Sequence, residues 1–112
     1  MARWKLTVRH GSRIEQQQLD TLDEAVAALR ERIDDLAAAA PRKAVEVFSR
    51  RFEPVSQVAA RGELAGPGRA RGGVDLRGDG STEAFAGRWR RTVVATSPGE
   101  TPYDALLREL SR

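Results

Sequence analysis

The stretch "VAARGELAGPGRARGGVDL", residues 58–76, decides the fold. Val58, Ala60, Gly62 and Leu64 share one side of its first arm, and Ala70, Gly72, Val74 and Leu76 share one side of its second. Between them "GPG" is turn chemistry, so the two arms make a β-hairpin with one dry face and one wet face. Opposed residues of a hairpin share a face, which restricts the register. A loop over 66–68 pairs Leu64 with Ala70, Gly62 with Gly72, Ala60 with Val74 and Val58 with Leu76. The same register sets Glu63 against Arg71 on the wet side, an opposite-charge pair that favours it.

Downstream, "AFAGRWRRTVVAT" at 84–96 reads as the next strand, with Phe85, Trp89 and Val93 on its dry side. A turn at Gly80 and Ser81 sets Phe85 against Leu76 and lays the Trp89 ring over Gly72. Upstream, "KAVEVFSRRF" at 43–52 reads as a strand in which Val45 and Val47 face one way and Phe48 and Phe52 the other. Pro54 ends it or bends it. At the start of the chain Trp4, Leu6 and Val8 alternate with charged and hydroxyl neighbours, and "HGS" offers a turn. "RIEQQQL" at 13–19 then returns as a polar outer strand anchored by Ile14 and Leu19.

The helices carry a different period. Leu22, Val26, Leu29, Ile33 and Leu36 line one helical face, Thr21 and Glu24 form a capping box, and Pro41 stops the helix after Ala40. Near the C-terminus Thr101 is an N-cap, Pro102 takes the first helical position, Asp104 completes the box, and Tyr103, Leu106, Leu107 and Leu110 form the stripe. The sequence therefore predicts one α+β domain over 1–112, a two-layer sandwich. Two helices cover one face of a mainly antiparallel sheet of five or six strands, in the order ββαββββα or ββαβββα.

Composition limits the function. The chain has no cysteine, which removes disulfides, thiolate chemistry and the common structural zinc sites, and no apolar run approaches the length of a bilayer crossing. A cytoplasmic location is the expectation. Of 19 basic residues, 17 are arginine, and the pI is about 10.2. Coding in a GC-rich genome yields the same bias, so arginine abundance alone argues for no ligand. The charge is uneven, with net −1 over residues 1–40 and net +4 over 41–112.

Catalysis has no foothold. His10 is the only histidine and sits beside a turn, so no relay or histidine-rich metal site has a visible second member. Asp34 and Asp35 fall on the charged side of a helix, "RGD" at 77–79 falls in a turn, and "GPGRARGG" lacks the lysine and hydroxyl of a phosphate-binding loop. No catalytic residue, cofactor, metal or small-molecule substrate is expected, and the protein is expected not to be an enzyme. Two readings remain. The first is a non-enzymatic assembly module whose edge strands, "RIEQQQL" and the strand around "VEVFSRRF", pair with a protein partner or a second copy, with Phe48 and Phe52 as apolar anchors. The alternative is a nucleic-acid binder gripping phosphates through Arg61, Arg69, Arg71, Arg77, Arg88 and Arg90 on the wet sheet face.

Overall fold

The computed structural model describes residues 3–39, 58–88 and 90–112. Strands β1 (Trp4–His10) and β2 (Arg13–Leu19) form the opening hairpin and α1 (Leu22–Ala39) follows. Next come β3 (Val58–Ala65), β4 (Arg71–Arg77), β5 (Thr82–Ala86) and β6 (Thr92–Val93), and α2 (Pro102–Leu110) completes the order ββαββββα. The strands make one antiparallel sheet in the order β2-β1-β3-β4-β5-β6, with both helices on one face. The expected strand over 43–52, with Phe48 and Phe52, lies outside the described residues, as does Trp89. The single strand expected over 84–96 is instead two, β5 and β6, separated after Ala86 where Gly87 takes a positive φ.

The dry face forms as its alternation requires. Trp4, Leu6 and Val8 of β1, Ala60 and Leu64 of β3, Val74 and Leu76 of β4 and Ala84 of β5 bury against Val26, Leu29 and Ile33 of α1 and Tyr103 and Leu106 of α2. Leu6, Leu29, Ile33, Leu64, Val74 and Leu106 are sealed from solvent almost entirely. Each such aliphatic side chain contributes about 1.5–3 kcal/mol relative to leaving it in water. Both caps form, Thr21 Oγ1 accepting from the Glu24 amide at 3.2 Å and Thr101 Oγ1 accepting from the Asp104 amide at 3.1 Å.

Two registers differ from expectation. Across β3 and β4, Leu64 opposes Gly72, Gly62 opposes Val74 and Ala60 opposes Leu76, two residues further along than the loop at 66–68 allowed. The loop is wider because Ala65 and Arg71 are the last pair and Gly66 donates to the Ala70 carbonyl at 3.0 Å. Glu63 consequently faces Gly73, not Arg71.

Across β4 and β5, Ala86 opposes Gly72, Phe85 opposes Gly73 and Ala84 opposes Val74. Phe85 is therefore not on the helix side; it lies on the sheet's other face and is still only 6% exposed. A Cβ on Gly73 would stand 2.7 Å from the Phe85 ring and would also run into the Gly62 carbonyl. The ring fills the space a side chain at Gly73 would need, as an aromatic does beside a strand glycine.

Candidate functional site

The residues singled out in the sequence separate into three regions. The first is a lattice of ion pairs at the centre and far end of the open sheet face. Arg61 grips Asp75 with two hydrogen bonds, at 2.6 and 3.1 Å, and Arg77 reaches Glu83 at 2.7 Å. Arg91 reaches Glu63 at 2.7 Å, and the guanidinium carbons of Arg61 and Arg91 lie 5.4 and 5.1 Å from the Phe85 ring centre. Cations over an aromatic face are attracted by its quadrupole, so these arginines cover the phenyl group while their charge is met by carboxylates. The Asp75 hydrogen bond is the main reason the Arg61 guanidinium holds its proton more tightly than usual. Arg61 and Arg77 therefore have work inside the fold.

The second region is one end of the same sheet. Lys5 opposes Ala65 and Ala65 opposes Arg71, while the Gly87 amide donates to the Arg71 carbonyl at 3.0 Å. The β3–β4 loop carries Arg69 to this end, Arg3 precedes β1 here, and the β5–β6 turn brings Arg88 and Arg90. That turn depends on Gly87, whose φ of +122° suits glycine and whose Cβ would collide with the Arg90 carbonyl oxygen. Among the described residues no carboxylate pairs with Arg3, Lys5, Arg69, Arg71 or Arg90. The expected face of six arginines is thus divided. Arg69, Arg71, Arg88 and Arg90 are gathered at this rim, Arg61 and Arg77 are held away from it, and Arg71 does not oppose Arg90 across a ladder.

The third region is the outer edge of β2. This strand runs seven residues against β1, from Trp4–Leu19 to His10–Arg13, with no shift in register. Six of its seven residues are exposed, Ile14 at 59%, so Ile14 is not the anchor its sequence suggests. Its helix-facing side is fixed by Glu15, whose Oε2 accepts from Arg32 Nε at 2.9 Å and Nη2 at 2.7 Å, with His10 Nε2 at 3.5 Å. Arg32 chiefly accounts for a Glu15 carboxyl held below its ordinary range. The edge is therefore unbulged, and no other strand pairs with it among the described residues. The opposite edge, β6, is two residues long, and the chain beyond it is tied to α2 where Arg108 Nη2 donates to the Ala95 carbonyl at 3.0 Å. An open groove of about 460 Å³ separates β6 from α2, lined by Gly87, Arg90, Thr92, Val94, Arg108 and Glu109 among others.

Sequence reasoning missed Arg3, Lys5, Arg91 and Gln16. Arg3 and Lys5 could have been found by asking which residues meet at a common end of the sheet. Arg91 needed the break at Gly87. Gln16 is the centre of a strand the sequence already marked as outer. The chain matches no protein-family model, no curated protein and no solved structure. Among the described residues no helix is long and apolar enough to cross a membrane.

Proposed function

We propose that the protein is a non-enzymatic association module that extends its sheet by pairing β2 with β2 of a second copy. The observation that carries the proposal is the seven-residue, unbulged edge of β2, which pairs with no other strand among the described residues, at the end of a six-stranded sheet. Exposed edges are templates for another strand, and proteins that avoid pairing blunt them with proline, charged side chains, bulges or short length; the charges of β2 are Arg13 at its first position and Glu15, which Arg32 engages on the helix side. β2 contains no proline, lysine or glycine.

The occupant is a second copy because "RIEQQQL" is compatible with its own antiparallel image. With a two-fold axis at Gln16, all seven residues overlap, Gln16 meets its own counterpart, Glu15 meets Gln17 and Ile14 meets Gln18. No like charges oppose one another in this register, whereas an axis at Glu15 would set two carboxylates face to face. Glutamine amides supply both a donor and an acceptor, so they pair with themselves. A two-fold interface of this kind is isologous and closes at two copies.

Sedimentation at micromolar concentration tests the reading. Wild-type protein is expected as a dimer, and Gln16→Lys, which opposes two ammonium groups at the axis, as a monomer with an unchanged far-ultraviolet spectrum. A wild-type chain that stays monomeric at tens of micromolar, about the range where weak dimers form, contradicts it.

A further inference from the structure

We infer that the rim formed by Arg3, Lys5, Arg69, Arg71, Arg88 and Arg90 is a binding site for the phosphodiester backbone of a nucleic acid. The site is separate from the β2 edge and stands on a different observation. Neighbouring strands lie about 4.8 Å apart, so the row from Lys5 through Ala65 and Arg71 to Gly87 extends across about 15 Å of sheet end. The loops after β3 and β5 project further arginines from that row. Arg3, Lys5, Arg69, Arg88 and Arg90 are exposed and Arg71 is half-buried.

The rest of the open face sets the contrast. There Arg61, Arg77 and Arg91 each have their own carboxylate, while the exposed Arg9 opposite Arg61 has none among the described residues; the rim differs in gathering several such cations at one end of the sheet. At the rim the Arg71 guanidinium donates to the Ala70 carbonyl and, among the described residues, to no carboxylate. Gathering Arg3, Lys5, Arg69, Arg71 and Arg90, none of which pairs with a carboxylate among the described residues, opposes folding, and the repulsion is relieved when a partner supplies the anions. Asp20, two residues before α1, follows Leu19, whose carbonyl accepts from the Arg3 amide, and forms no ion pair among the described residues.

The shape of the patch favours a polyphosphate chain over a folded acidic protein. A row needs anions repeated in line, which a phosphodiester backbone provides at every nucleotide. Five of the six cations are arginines, whose planar fork bonds phosphate oxygens in pairs. Contacts of this kind position a backbone and carry no base sequence.

Binding of fluorescent oligonucleotides over a salt series tests the site, with single-stranded RNA, single-stranded DNA and duplex DNA of equal length as separate arms. Neutralising about five phosphates predicts a slope of log affinity on log salt of about −3.5 for a single strand and about −4.5 for duplex DNA. The arm that binds tightest at equal salt identifies the natural source. The double variant Arg69→Glu and Arg90→Glu is expected to lose at least about tenfold in affinity and to flatten the slope by about 1.5. Arg9→Glu, a charge reversal of an exposed residue at the opposite end of β1, is expected to lose no more than about threefold at the same salt, because screening confines its effect. Circular dichroism of each variant confirms that it is folded. Salt-independent affinity, equal losses in the two sets of variants, no binding in any arm, or equal competition by polyglutamate would each overturn the assignment.

Discussion

The two edges of the sheet solve the same problem in opposite ways. β6 is two residues long and is followed by chain that Arg108 of α2 holds at the Ala95 carbonyl. β2 is seven residues long, unbulged and exposed, and its contacts from Arg32 to Glu15 lie on the helix side. The first edge is closed by intramolecular bonds. The second is backed by intramolecular bonds on its helix side, and among the described residues no strand closes it. Substitutions should therefore change monomer stability near β6 and association near β2.

The largest effect is expected at Phe85, which packs over Gly73 beneath Arg61 and Arg91 and anchors the ladder to β6 through Val93. Phe85→Ala should cost about 3–5 kcal/mol in chemical denaturation, and a loss under 1 kcal/mol would show that the ring is not holding this side of the sheet. Gly87→Ala comes next, because its φ of +122° is strained for any side chain and its Cβ meets the Arg90 carbonyl. We expect about 1–3 kcal/mol and early hydrogen exchange at the amides of β6. Gln16→Lys should change monomer stability by no more than about 0.5 kcal/mol while abolishing association. Equal damage to both quantities would erase the distinction between the edges.

The smallest effect is a pH dependence. Two hydrogen bonds from Arg108 and one from the Ser97 amide draw the Glu100 carboxyl down from 4.5 to about 2. A carboxyl whose folded value is depressed stabilises the fold above its unfolded value, and that stabilisation disappears as pH falls toward the folded value. Between pH 4.5 and 2 the melting temperature of Glu100→Gln should therefore fall less than that of the wild type, and the two curves should converge at the acid end. Parallel curves would remove Glu100 from the lock on β6.

Much of this architecture is legible in the sequence, for identifiable reasons. The spacing of Leu22, Val26, Leu29, Ile33 and Leu36 and the paired caps act locally, so α1 and α2 lie where periodicity puts them. The parity of β3 and β4 is also legible, since one dry face leaves no choice. Their register was not, because Pro67 and Gly68 form a turn inside a wider loop and the apparent attraction of Glu63 for Arg71 favoured a narrower one. Phe85 misled for a different reason. A ring roofed by two guanidiniums is as buried as a core residue, yet it belongs to the wet face, and alternation cannot separate the two cases. The outer position of β2 was legible from its polarity. The rim was not, because it is assembled from strand ends far apart in the chain and divides arginines that look equivalent in sequence.

Disulfide trapping examines the β2 edge most directly, and the absence of any natural cysteine makes it clean. Residues at a two-fold axis between antiparallel strands lie close enough for oxidative coupling. The account predicts that Gln16→Cys forms a covalent dimer rapidly under mild oxidation, while Val93→Cys, 58% exposed on the other edge in the wild type, does not. Coupling at Val93→Cys as fast as at Gln16→Cys, or no coupling at Gln16→Cys, would contradict it.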